Sequence, residues 1–374
     1  MQPAAACSDR GQTISNEYYT ISLANGRIFI QDTQTGRQLL DPALPVFGGL
    51  VVKDSENQAA SPMVWTLVRR TARPVRSTLE LAGQTLGHPG VRLTLSLLGG
   101  MRQFNADFQI SKDATPLLTT YIAFPFAAQR AHFTYDGTLC ALSPAERILP
   151  GSYSDVLAAH GWLRQADADG QTTVCSALDG CLFAFSEPRD IYVSPAHRCV
   201  SKPEIMIHPA PTAEQFTRGG FYALIDCNNF GTNFTVSSPA QWLMRFRFTT
   251  SPREPDDTWC DGFARQVRQG LTALFKHPSR SGCLAKSSLL ELAGDPVSML
   301  YLRSVDSGYR MAFWNRNHTG ARCEVRWLGE TLRRACRTDA VGRKIADLAY
   351  AGNRLTIELK SDEMIYCEME CEEP

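Results

Sequence analysis

The chain has 374 residues, 44% of them apolar, and its 38 lysines and arginines are matched by 38 aspartates and glutamates. That length allows two domains or one large β unit with a sizeable core, and a formal charge of zero supplies no basic field for phosphate backbones or anionic lipid. No stretch reaches the roughly 20 apolar residues of a spanning helix, and MQPAAACSDRGQ lacks the basic start and apolar core of a secretory signal, so the expectation is a cytoplasmic protein that binds neither nucleic acid nor membrane.

In chain order, Tyr19, Ile21 and Leu23 alternate with polar residues, Asn25-Gly26 supplies a two-residue turn, and Ile28 and Ile30 resume the alternation. That pattern predicts a β-hairpin. The same period recurs at Leu93, Leu95 and Leu97, at Phe104, Ala106, Phe108 and Ile110, and at Trp242, Met244, Phe246 and Phe248. Each run predicts a strand with one buried face. Then SPREPDD offers prolines and a cap at Asp256-Asp257, and Trp259, Phe263, Val267, Leu271, Leu274 and Phe275 follow at helical spacing. Residues 276–286 are rich in linker residue types, and from Ser287 the alternation returns, ending in Ile365, Cys367, Met369 and Cys371. Many short strands without strand–helix alternation predict antiparallel sandwiches. The domain expectation is a large β-sandwich over 1–275 with a closing helix near 257–275, a linker at 276–286, and a small terminal β-sandwich over 287–374.

Catalytic signatures are missing: no G-x-S-x-G, no phosphate-cradling glycine loop and no H-E-x-x-H. The seven histidines are widely separated, and one such as His160 or His208 is more often structural than a ligand. Twelve scattered cysteines in a long chain read as reduced thiols. Cys367 and Cys371 lie about 13 Å apart along a straight strand, too far for one zinc with Zn–S bonds of ~2.3 Å. Asn233-Phe-Thr and Asn317-His-Thr match the glycosylation sequon, which stays idle without a secretory signal. Two carboxylates from distant strands, roughly 5 to 9.5 Å apart, could do glycosidic chemistry; Asp155, Asp226 and Asp261 are candidates in that permissive sense. One histidine and one carboxylate could equally serve an aldose epimerase.

The stretch DCNNFGTNF, Asp226 to Phe234, follows the apolar run Phe221 to Ile225. Its amides can each donate and accept, as sugar hydroxyls do, or they can satisfy backbone groups in Asx turns.

An ordered set of segments carries a family resemblance: SNEYYTISLANGRIFIQDTQTGRQL, YIAFPF (Tyr121 to Phe126), LPGSYSD (Leu149 to Asp155) with GWLRQAD, GGFYALIDCNNFGTNF and FRFTTSPRE. Their order and spacing resemble the C-terminal half of glycoside hydrolase family 38, the α-mannosidases, particularly the bacterial-type branch. AFWNRN and DAVGRKIADL resemble that family's terminal β domain, so the resemblance runs from about Ile14 to the end. It implies a galactose-mutarotase-like super-sandwich followed by a small sandwich. It also implies a missing N-terminal α/β barrel, which in the family holds zinc through a His-x-Asp pair and supplies the nucleophile and acid. No His-x-Asp occurs here, so no catalytic residue and no metal ligand carries over. Zinc is expected only in the missing domain, and this chain alone is expected to be inactive.

By the same resemblance, Asn228, Asn229, Thr232 and Asn233 form one candidate edge of a sugar cleft. Gly151 and Ser152, with Asp155 and Trp162 nearby, form a second. Each has a structural alternative: Asx turns for the asparagines, loop structure for the Gly151-Ser152 segment and core packing for Trp162. The expected function is the non-catalytic, carbohydrate-associated β portion of an α-mannosidase-like hydrolase. Its expected partners are a mannose-type glycan and a catalytic barrel in cis or in trans. A free-standing carbohydrate-binding protein and a mutarotase-like epimerase are the alternatives.

Overall fold

The structure is a computed structural model that describes residues 12–54, 58–137, 140–146, 156–180, 182–188, 213–228, 236–269, 288–295, 297–306, 308–316, 319–328 and 331–372. It is mainly β, with antiparallel sheets and, among the described residues, one α-helix, Asp257–Gln269. The chain divides into two compact units, and the helix is shared between them: Phe263–Arg268 groups with the first unit and Asp256–Gly262 with the second.

The first unit begins as the alternation predicts. Strands Tyr19–Ala24 and Arg27–Asp32 pair across a tight turn, where Asn25 and Gly26 have φ of 50° and 72°. Two successive left-handed residues make the type I′ turn, whose twist matches that of the flanking strands, and Asn-Gly adopts it at least cost. A nine-stranded sheet follows, with Thr172–Ala177, Ala240–Ser251, Phe104–Lys112, His88–Leu98, Arg76–Thr85 and Thr66–Ala72 as successive neighbours along one part of it. Thr119–Phe124 and Phe221–Cys227 are adjacent in a separate five-stranded sheet.

Because side chains alternate along each strand, the two sheets present phenylalanines to one another. Phe124 lies with its ring centroid 4.8 Å from that of Phe246, 5.1 Å from Phe248 and 5.5 Å from Phe47 and Phe221. Leu93, Leu95, Phe104 and Phe108 complete the layer with no exposed surface. Burying each such side chain contributes about 1.5–3 kcal/mol, which makes this layer the main stabiliser of the unit.

The second unit pairs a four-stranded sheet with a five-stranded one around Met311, Phe313, Val325, Trp327, Leu355, Ile357 and Cys367. The predicted run Ile365, Cys367 and Met369 supplies one buried face of it. Cys175, Cys323, Cys336 and Cys367 are free thiols, and burial pushes the Cys367 thiol up to about 12.

The helix starts where the acidic pair predicts, with Asp256 Oδ1 accepting the Trp259 N–H at 2.7 Å. Its buried face differs from the expected one. Trp259 is 45% exposed, whereas Cys260, Phe263 and Ala264 are buried. The expected continuation through Leu271, Leu274 and Phe275 and the linker 276–286 lie outside the described residues. No helix among the described residues is long and apolar enough to cross a membrane.

Candidate functional site

The Phe221–Cys227 strand carries the start of the asparagine-rich stretch. A bulge at Ile225 shifts its register against Thr119–Phe124, and Asn228 follows as the strand ends. Asn228 is 4% exposed. Its Oδ1 accepts the Leu118 N–H at 2.6 Å, its backbone N–H donates to Leu118 O at 3.0 Å, and its Nδ2 donates to Thr115 O at 3.3 Å. The amide thus ties the end of one strand to the loop that begins another, and its hydrogen-bonding capacity goes to the chain's own backbone. Asn229, Thr232 and Asn233 lie outside the described residues, as do Gly151, Ser152, Asp155 and His208.

A buried polar block lies beside that tie. The Lys112 amine donates to Thr115 O at 2.8 Å and stands 4.0 Å from Asp226 Oδ2, which also accepts from Ser238 Oγ at 3.2 Å. Burial raises the Asp226 carboxyl above its usual range, opposed by the Lys112 charge and the Ser238 hydrogen bond. His88 is fully buried, with Nδ1 2.9 Å from Leu86 O. Its Nε2 has no hydrogen-bond partner among the described residues, and burial holds the imidazole below its ordinary pKa, with Lys112 adding to the effect.

Trp162 is 1% exposed, and the Arg164 guanidinium lies 5.6 Å from its ring centroid. A ring so enclosed packs in the core and offers no face to a pyranose, so stacking on sugar is replaced by the packing alternative. Asp261 is likewise engaged: Arg316 Nη1 donates to its Oδ1 at 2.6 Å and Ser298 Oγ to its Oδ2 at 3.3 Å. Among the described residues, no cluster of three or more histidine, cysteine or acidic side chains is arranged to hold a metal ion. Those residues do not fit a zinc site.

Sequence reasoning missed the outward face of the nine-stranded sheet. Cross-strand register sets up parallel rows there: Ala82, Arg92, Gln109 and Leu243 in one, Glu80, Thr94, Asp107 and Arg245 in the next, and Thr78, Ser96, Asn105 and Arg247 in the third. Most of the third row and the end of the second are cross-linked. Arg245 grips Asp179 through two nitrogens at 2.8 and 2.9 Å, Arg247 meets Asp107 at 2.5 Å, and Ser96 Oγ accepts from Asn105 and Arg76 at 3.3 Å.

Between the first two rows lies a cleft of about 190 Å³ lined by Glu80, Arg92, Thr94, Asp107 and Gln109, with Val68 and Leu243. Val68 is the extra residue of a bulge opposite Leu81 and Glu80, a device that re-aims a side chain. Glu80, Arg92, Thr94 and Gln109 make no side-chain hydrogen bond or ion pair among the described residues, and Glu80 forms none with its cross-strand neighbour Arg69. No histidine lines this cleft, so the histidine–carboxylate pair of an epimerase is not assembled there. The only sequence signal for the cleft was polar residues at alternate positions of three strands, a pattern that any solvated sheet face shows.

No sequence-family profile and no curated protein sequence matches the chain. Solved structures do match it. An α-mannosidase from Enterococcus faecalis V583 superposes with a TM-score of 0.69 at 9% identity, covering 100% of this chain and 43% of that one. A glycosyl hydrolase family 38 protein from Enterococcus faecalis gives 0.68 at 9% identity, covering 100% and 45%. The chain shares part of their fold. At that identity the likeness is one of architecture alone, and this chain spans less than half the length of either relative.

Proposed function

We propose that this chain is the carbohydrate-associated, non-catalytic β portion of an α-mannosidase-like glycoside hydrolase. One observation carries the reading: the whole chain fits onto 43% of an α-mannosidase and 45% of a family 38 protein, as a piece of a larger machine would. The described residues provide no metal cluster, and in this proposal zinc chemistry, the nucleophile and the acid belong to a barrel elsewhere in the same polypeptide or on a partner. The β portion then borders a cleft for mannose-type glycan.

The test is the native size of the protein in its source cells, by immunoblot against this chain, together with affinity capture of its partners. The expected result is a band well above the calculated 41.4 kDa, or a captured second polypeptide that brings zinc-dependent release of an aryl α-mannoside. The purified 374-residue chain should release none by itself, with or without zinc. A 41 kDa band with no such partner, or hydrolysis by the isolated chain, overturns the reading.

A further inference from the structure

We propose that the cleft on the outward face of the nine-stranded sheet binds one neutral hexopyranose unit. The proposal rests on the carbohydrate association above and gives it a place on the fold. Four features of the cleft select such a ligand.

The first is unspent hydrogen-bonding capacity. Arg92 offers donors only, Glu80 acceptors only, and Thr94 and Gln109 both. On a face where Arg245 pairs with Asp179, Arg247 with Asp107 and Asn105 with Ser96, these four side chains have no such partner among the described residues. Sugar hydroxyls, each donor and acceptor, complement a mixed set of this kind; a purely donating or purely accepting ligand does not.

The second is charge. Glu80 is opposed by Arg92, and Asp107 is paired at 2.5 Å with Arg247 outside the lining, so the lining together with Arg247 is formally neutral. An anion entering beside Arg92 would meet two carboxylates, and a cation entering beside Glu80 would meet two guanidiniums. A neutral ligand avoids both penalties.

The third is the apolar edge. Val68 and Leu243 flank the cleft and are 54% and 50% exposed. Two aliphatic side chains beside polar groups suit the C–H face of a pyranose, whose hydroxyls point outward.

The fourth is size. A cleft of about 190 Å³ falls below the ~300 Å³ at which drug-sized pockets begin. It holds one ring. With no aromatic platform in the lining and about a dozen ligand heavy atoms, affinity in the millimolar range is expected.

The experiment is titration of the full chain with D-mannose, D-glucose, D-galactose and glycerol, followed by amide NMR shifts and ligand-observed saturation transfer. Mannose 6-phosphate serves as the charged comparison. The expected result is millimolar binding of at least one neutral hexose, weaker binding of the phosphate and of glycerol, and shifts centred on Glu80, Thr94 and Gln109.

The double variant Arg92→Met with Gln109→Leu keeps the side-chain bulk and removes the polar groups. Each lost hydrogen bond weakens binding about two- to tenfold, so the pair should lose roughly four- to a hundredfold. Both residues are exposed, and an unchanged melting temperature checks the fold. Absence of binding by any neutral hexose at about 10 mM, tighter binding of the phosphate, or full affinity in the double variant overturns the proposal. Full affinity for sugar in the double variant would remove this cleft while leaving the wider reading intact. Native size and partner capture, which do not involve the cleft, judge that reading separately.

Discussion

Replacing Asn228 by alanine distinguishes a side chain that holds the fold from one that holds a sugar. The side chain is 4% exposed and makes two bonds to backbone groups, accepting from Leu118 N at 2.6 Å and donating to Thr115 O at 3.3 Å. Alanine leaves the Leu118 N–H buried without its acceptor, which costs about 1–3 kcal/mol. The longer bond to Thr115 adds at most ~0.5–1 kcal/mol. The sum, about 1–4 kcal/mol, corresponds to a fall of roughly 2–16 °C in the melting temperature of a unit of this size, at about 2–4 °C per kcal/mol.

Urea unfolding followed by fluorescence should show the midpoint falling at constant slope, because a local bond is lost and the unfolded state is unchanged. Sugar affinity per folded molecule should stay within twofold of the parent chain. Asn228→Asp should recover part of the loss, since its carboxylate still accepts from Leu118 but cannot donate to Thr115. An unchanged urea midpoint with sugar affinity falling tenfold would refute the structural assignment and return Asn228 to the cleft.

Three further outcomes are expected. Phe124→Ala removes the ring that meets Phe47, Phe221, Phe246 and Phe248; it should cost about 3–5 kcal/mol in urea unfolding, and a loss below 1 kcal/mol would mean that the two sheets do not pack through this layer. Arg316→Met removes the ion-pair partner of buried Asp261 and should destabilise by about 3–5 kcal/mol, whereas Arg316→Met combined with Asp261→Leu should recover most of that; equal losses in both would contradict the pairing.

The last outcome concerns pH. Burial depresses the His88 pKa, so the unfolded chain binds the extra proton first. The stabilisation from a neutral His88 is complete above its ordinary value of 6.5 and is lost as pH falls through that value towards the folded one. His88→Gln should therefore flatten the dependence of the urea midpoint on pH below 6.5, and an unaltered slope would show that the imidazole titrates normally.

Much of the fold was legible because it depends on local patterning. Leu93, Leu95 and Leu97 alternate in the sequence and are all buried in the structure, since a pleated strand sends every second side chain to one face. The cap at Asp256 was legible for a similar reason: a short acidic side chain before an amphipathic run satisfies amide groups within its own turn. Trp259 was not. Its spacing matched the buried stripe, but which part of that stripe is covered depends on the neighbouring surface. Trp162 and Asn228 show the same limit. Their chemistry suits sugar, and burial at 1% and 4% turns it inward.

By itself the sequence determined a mainly β chain with an Asn-Gly hairpin, one capped helix and buried alternate positions, because each follows from interactions among residues a few positions apart. Only the tertiary structure decided which polar residues share a place. Glu80, Arg92, Thr94 and Gln109 come from three strands, and what aligns them is the register Glu80–Thr94–Asp107 and Arg92–Gln109. That register is set by burying the opposite face, where Leu79, Leu81, Leu93 and Phe108 meet the core: a slip of one residue would expose them all. The position of the cleft is thus a consequence of packing on the other side of the sheet.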